Sequence, residues 1–275
     1  MKIKTSVISG LIANETKHMT PIPTKKLLDD LYVVQDYFAN IFLIKDGNKY
    51  IAIDAGISSA NIEKELSRLG IDPRDVKADF LTHSDIDHVN GLAAFPEAQV
   101  YIPEAEVAML GKFRITLTED EFNHVNRLYS DFKPDDGQNI FGDSEFWPEE
   151  DVGIAQTANG GTVSFLKNNV STDFKTVGDG EKLTLEQTQI EAVLINGHTK
   201  GLTSYVVNQK YLFVGDGMSI VDGEIRPFNQ FLNMDEAQHR ESILKVKDLG
   251  DYSHLFTQHY GYTDNIRKSF ESWNS

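Results

Sequence analysis

The chain has 275 residues, 40% of them hydrophobic and 25% charged, a globular composition with enough apolar residues for a sizeable core and too many for wholesale disorder. Its formal net charge of −16 repels a phosphate backbone, so no nucleic-acid partner is expected. The absence of cysteine excludes disulfides, thiolate metal sites and a cysteine nucleophile, and leaves His and carboxylates as the only side chains that can hold a metal tightly.

The first segment, "MKIKTSVISGLIANETKHM", carries an apolar run that is too short to span a membrane, and a secretory signal is not expected either. The reading is therefore a cytoplasmic protein with no membrane partner. In "NIFLIKDGNKYIAIDAG", two apolar runs flank the turn residues Asp46, Gly47 and Asn48, a hairpin pattern that Asp54 closes. "SSANIEKELSRLG" follows as an amphipathic helix, with Ser58 and Ser59 as N-caps, Ile62, Leu66 and Leu69 on one face and Gly70 as its stop. The short run "ADFLT" reads as a buried strand that delivers "HSDIDH" to the loop at its carboxyl end, and "AQVYI" is a further strand.

The pattern then loosens. From about 103 to 173 the chain reads as an insertion, with one helical stretch over roughly Glu104 to Tyr129. A segment rich in Asp, Gly, Asn and Pro follows, which contains Phe132, Phe141, Phe146 and Trp147. A structureless segment of that length is uncommon unless it is functional, so a lid is expected. Strand signals return at "QIEAVLI", "TSYVV" and "YLFVG", a helix follows at "DEAQHRESILKVKDLG", and "HLFT" is the last strand. No repeat or low-complexity linker divides the chain, so 1–275 reads as a single domain.

Five places share one arrangement, in which a short apolar run ends in His or Asp: Asp54, the cluster His83, Asp85, Asp87 and His88, then His198, Asp216 and His259. A single such His is usually a hydrogen-bonded structural residue. Five strand ends that converge on one sheet edge would place so many carboxylates and imidazoles together that unpaired charges cost several kcal/mol each in the absence of a cation.

In order and setting, "IAIDAG", "THSDIDHVNG", "NGHTKG", "FVGDG" and "TQHYG" resemble the five motifs of the metallo-β-lactamase-fold superfamily. Its members include lactonases, glyoxalase II-type thioesterases, phosphodiesterases and diiron flavoproteins, and the resemblance covers about Leu31 to Tyr262 apart from the insertion. It implies an α/β (α+β) fold, a four-layer αββα sandwich of two mixed sheets flanked by helices. By position it assigns His83, Asp85 and His198 to one metal, Asp87, His88 and His259 to a second, Asp216 as the bridge between them, and Asp54 to the loop's support. Two divalent ions are implied, zinc first, acting through a bridging hydroxide, with Asp87 and Asp216 as the catalytic carboxylates.

The chain departs from the family pattern His-x-His-x-Asp-His at Asp85. A carboxylate there is harder and anionic, which draws iron or manganese into consideration; diiron members carry a glutamate at this position. The alternative is that Asp85 points away and the first site is weak. The resemblance thus implies a hydrolase of a small ester, lactone, thioester or phosphodiester. A diiron-type oxidoreductase and a non-catalytic module with a degraded site are the alternatives. Tyr260, Tyr262, Trp147 and Lys200 are the candidate substrate contacts, each with packing or solvation as the plainer reading. Oligomeric state is left open, with a homodimer as one option.

Overall fold

The computed structural model describes residues 4–110, 112–117, 119–133, 152–157, 160–166, 173–229, 232–250 and 252–273. The expected sandwich of two mixed sheets is present. The first sheet runs β1 (Lys25–Lys26), β2 (Leu31–Asp36), β3 (Ala39–Asp46), β4 (Lys49–Ile53), β5 (Val76–Phe80) and β6 (Gln99–Pro103), and closes on β10 (Phe174–Val177). Its first four strands pair antiparallel, and β4, β5, β6 and β10 pair parallel. The second sheet is ordered β11 (Lys182–Leu185), β12 (Thr188–Leu194), β13 (Thr203–Val207), β14 (Tyr211–Phe213), β17 (His254–Phe256) and β18 (Tyr262–Thr263).

Between the two sheets lies a layer of side chains drawn from both, including Phe42, Ile53, Phe80, Ile190, Tyr205, Phe213 and Phe256. Its aromatic rings interlock: Phe42 lies 5.1 Å from Phe213 and 5.2 Å from Phe256, and Phe80 meets Tyr205 edge-on at 5.4 Å. Such pairs add about 0.5–1.5 kcal/mol each beyond their burial. The outer face of the first sheet packs Val34, Leu43 and Val100 against Ile62 and Leu66 of helix α2 (Ser59–Leu69). On the far side, Leu212 and Leu255 pack against Ile243 and Val246 of α5 (Glu236–Lys247). These four layers follow from the sequence because central strands such as β3 and β14 are apolar and buried on both faces.

Local signals behave as expected at α2. The Ser58 hydroxyl accepts from Asn61 N–H, and Gly70 ends the helix at φ 70°, a left-handed conformation that costs glycine nothing. The apolar run near the start folds as helix α1 (Thr5–Thr16), which buries Val7, Ile8 and Leu11. Among the described residues no helix is long and apolar enough to cross a membrane.

The stretch expected as one helix over Glu104 to Tyr129 is three elements. A 3₁₀ turn spans Glu104–Met109, β7 spans Lys112–Leu117, and α4 covers only Glu119–Tyr129. The alternation Phe113, Ile115, Leu117 against Lys112, Arg114, Thr116 has the strand period of two, which outweighs the helical pattern on either side. Strand β7 joins β8 (Val152–Thr157) and β9 (Gly160–Leu166) in a three-stranded antiparallel sheet, so part of the expected loop carries its own pairing. The insertion leaves after β6 and returns at β10, which pair directly. Helix α4 packs on α1, where the Tyr129 ring lies against Gly10. The expected lid aromatics Phe141, Phe146 and Trp147 lie outside the described residues.

Candidate functional site

All seven candidate ligands meet at one edge of the sandwich. Asp54 follows β4; His83, Asp85, Asp87 and His88 follow β5; His198 lies between β12 and β13; Asp216 follows β14; His259 follows β17. The β5 exit is held across the sheets by the Tyr205 hydroxyl, which donates to the Leu81 carbonyl at 2.8 Å. The loop then folds back as a single turn, α3 (Ile86–Val89). Its end docks so closely on the Asp54 turn that a Cβ on Gly91 would lie 2.1 Å from the Ala55 carbonyl oxygen.

The ligand atoms fall into two groups, His83, Asp85 and His198 on one side and Asp87, His88, Asp216 and His259 on the other. Asp216 touches both. Its Oδ2 lies 3.8 Å from His83 Nε2 and 3.4 Å from His198 Nε2, and its Oδ1 lies 3.4 Å from His88 Nε2 and 3.0 Å from His259 Nε2. Asp85 Oδ2 faces inward, 3.6 Å from His83 Nε2 and 3.2 Å from His198 Nε2. The alternative that it points away is thereby removed. Asp87 Oδ2 mirrors it, 3.4 Å from His259 Nε2 and 3.8 Å from His88 Nε2. With Asp85 in place the two halves carry the same donors: two imidazoles, one carboxylate of their own and one oxygen of Asp216.

Two observations show that these residues fit a pair of cations. His83 Nε2, His88 Nε2, His259 Nε2 and Asp216 Oδ1 are buried and have no aligned hydrogen-bond partner, a state that costs about 1–3 kcal/mol per atom unless something else satisfies it. The separations from 3.0 to 3.8 Å also bracket the edge of a tetrahedron with metal–ligand bonds of about 2.0–2.1 Å, which is about 3.3–3.4 Å long.

Every outer imidazole nitrogen is anchored, which aims each Nε2 at the centre. His88 Nδ1 pairs with Asp54 Oδ2 at 2.9 Å, His198 Nδ1 with Asn233 Oδ1 at 3.1 Å, His259 Nδ1 with the Phe38 carbonyl at 2.8 Å and His83 Nδ1 with the Thr82 hydroxyl at 3.0 Å. Asp54, at φ 62°, also accepts from Thr82 N–H and from Gln258 Nε2.

Without cations, burial disfavours the His88 imidazolium, but Asp54, Asp216 and Asp87 outweigh this and raise its pKa well above the usual value. His259 is raised in the same way, burial being outweighed chiefly by Asp216. Burial opposes ionisation of Asp216 too, yet His259 and His88 hold it well below the ordinary carboxylate range. Both imidazoles thus favour their protonated forms.

Sequence reasoning missed Glu106. This fully buried carboxylate accepts from Ser84 N–H and Ser84 hydroxyl through Oε2, and from Thr199 hydroxyl and Gly201 N–H through Oε1. It was hidden within the supposed long helix. Asn233 and Phe228 were also missed, because nothing local marks them; the Phe228 ring lies 5.2 Å from His198 and 5.9 Å from His259.

Of the expected substrate contacts, Tyr260 packs edge-on to Phe228 at 6.0 Å beside the cluster. Burial first, then the charges of Asp216 and Glu15, push its pKa up to about 12, so it keeps its proton at neutral pH. Tyr262 is instead stacked on Phe256 at 5.5 Å and His254 at 6.3 Å. Lys200 is exposed, and Trp147 lies outside the described residues.

A family model described as the Metallo-beta-lactamase superfamily matches residues 34–252. A subclass B3 metallo-beta-lactamase of Bradyrhizobium japonicum aligns at a TM-score of 0.57 and 21% identity, covering 90% of this chain and 81% of that one. A second B3 enzyme, described as having an active-site glutamic acid, aligns at 0.57 with 17% identity over 95% and 90% of the two chains. In sequence, a hydroxyacylglutathione hydrolase of Tolumonas auensis is 43% identical over 68 residues, which span 23% of this chain and only 25% of that enzyme. A probable metallo-hydrolase of Mycobacterium tuberculosis is 33% identical over 58 residues, 21% of this chain and 19% of that one. With the family model spanning most of the chain and the motifs meeting in space, the protein belongs to the metallo-beta-lactamase superfamily of hydrolases.

Proposed function

We propose that the chain is a metal-dependent hydrolase of a small ester, thioester, lactone or phosphodiester, with two divalent ions held by the seven clustered side chains. The observation that carries this reading is the convergence of the seven side chains in two adjoining groups, with His83, His88 and His259 Nε2 and Asp216 Oδ1 buried and without a hydrogen-bond partner. Two bound divalent ions would supply an acidified water and polarisation of the substrate's carbonyl or phosphoryl oxygen.

The chain's own residues divide the rest of the work. His83, Asp85 and His198 would hold one ion and Asp87, His88 and His259 the other, with Asp216 beside both groups. Asp87 is the least buried carboxylate of the cluster, which places it to return a proton to a leaving group. Tyr260 keeps its phenolic proton and can donate to a substrate oxygen. Phe38, Phe228 and Tyr260 put aromatic rings beside the cluster, which suits a small substrate with an apolar acyl or aryl part. The local identity to a hydroxyacylglutathione hydrolase makes thioesters the first class to test.

A chelator should abolish hydrolysis of one of these classes and added zinc or manganese should restore it. Metal-loaded protein that turns over none of the four classes would refute the reading. A second reading, an iron-dependent oxidoreductase, is favoured by one observation, the two-imidazole, one-carboxylate donor set that Asp85 gives the first half to match that of Asp87 in the second. Oxygen consumption by iron-loaded protein with an added electron donor separates the two.

A further inference from the structure

We propose that Glu106 is the positioning residue of the first half of the site, holding the loops that carry His83, Asp85 and His198 in register; this rests on the metal reading above. The two loops come from different sheets. One leaves β5 in the first sheet, the other joins β12 to β13 in the second. No imidazole in this half has a carboxylate directly on its Nδ1: His83 rests on the Thr82 hydroxyl, which in turn donates to Asp54 at 2.9 Å, and His198 rests on the Asn233 amide. Glu106 supplies the missing tie at one remove. One of its oxygens takes both donors of Ser84, which sits between His83 and Asp85, and the other takes the Thr199 hydroxyl next to His198 and the Gly201 N–H.

The contact is built on both sides. A Cβ on Gly201 would lie 2.8 Å from Glu106 Cγ and Oε1, so only glycine lets that loop close on the carboxylate. Four donors and a fully buried carboxylate are matched one to one, which fixes the distance between the loops. A side-chain amide at 106 cannot accept from both backbone N–H groups through separate oxygens, and a shorter acid cannot reach both loops at once. The charge of Glu106 ends on loop hydroxyls and amides and not on an imidazole, so its effect is on geometry. Loss of such outer support typically lowers metal affinity by about 10–100-fold, and here the loss should fall on one ion only.

The test is competitive titration of the full-length protein with cobalt(II) against a chromophoric chelator, with the visible absorption bands of bound cobalt recorded throughout. Wild-type protein should take up two ions. Glu106→Gln should weaken one of them by about 10–100-fold and alter its bands, leaving the other unchanged. Asp54→Asn should weaken chiefly the ion that Glu106→Gln spares, with a smaller effect on the other through the Thr82 hydroxyl, and the double variant should weaken both. Thr199→Val, which removes one hydroxyl donor, should give a smaller loss at the same ion as Glu106→Gln and serves where a variant at 106 does not fold. Two ions bound by Glu106→Gln and by Thr199→Val at wild-type affinity, or equal weakening of both, would overturn the role of Glu106 alone. A wild-type protein that binds no ion would overturn the metal reading and this inference together.

Discussion

The two halves of the site carry matching donors but are supported differently. Behind His88 stands a carboxylate, Asp54, at 2.9 Å, whereas the imidazoles of the first half lean on a hydroxyl and an amide. A charged acceptor on Nδ1 makes the imidazole a stronger donor to a metal, while a neutral one only orients it. The second half is thus tuned electrostatically at His88, whereas Asp54 reaches the first only through the Thr82 hydroxyl and Glu106 holds that half in shape. One donor set can therefore give two ions of unequal strength, with the difference written in residues that never touch them.

The largest effect should come from the residue both halves share. If two ions bind as proposed, Asp216→Ala would remove an oxygen from each, so affinity for both and hydrolysis should fall by more than the 10–100-fold typical of outer support, as read by metal titration and by turnover. Survival of one full-strength ion would show that the halves are independent. Next is Asp54→Asn, which should cost the second half about 10–100-fold in affinity and the first less, since Asp54 reaches His83 only through the Thr82 hydroxyl.

The charge state of the metal-free site gives a third prediction. His88 and His259 have raised folded-state pKa values, so their contribution to stability is complete below an unfolded value of about 6.5 and is lost as pH rises through the raised values. Asp216, held low, contributes above its unfolded value and loses that only as pH falls through its depressed one. Metal-free protein should therefore melt at a higher temperature near about pH 6 than near about pH 9. Metal binding should release protons at neutral pH, measurable by calorimetry in buffers of different ionisation enthalpy. Metal-free protein that is more stable at the higher pH would contradict the assignment of protons to the two imidazoles.

Asp85→His is a smaller change. It replaces an anionic donor with a neutral one in the first half, which should make the bound water more acidic and move the pH–rate profile down by about a unit or less. An unmoved profile would remove Asp85 from that role. The least effect is expected for Lys200→Ala. This side chain sits beside His198 in sequence but is exposed, and metal affinity in either half should stay within about twofold, as surface changes usually do.

What could be read from the sequence tracks how local each signal is. Asp54, the His83 to His88 turn, His198, Asp216 and His259 all sit at the carboxyl end of short apolar runs, so their type, position and convergence were visible at once. The inward aim of Asp85 was not, because it depends on how a four-residue turn sets its side chains. Glu106, Asn233 and the Phe38 carbonyl were invisible for a related reason. They act through contacts with residues 22 to 221 positions away, and no spacing rule announces an outer partner that distant. The hidden strand β7 shows the opposite failure, since a clear period-two alternation was passed over between two helical neighbours.

The most direct test is a crystal of the protein soaked in zinc and recorded at the zinc absorption edge. The account predicts two anomalous peaks, one on each oxygen of the Asp216 carboxylate, the first between His83, Asp85 and His198 and the second between Asp87, His88 and His259. A single peak, or none at saturating zinc, would contradict it.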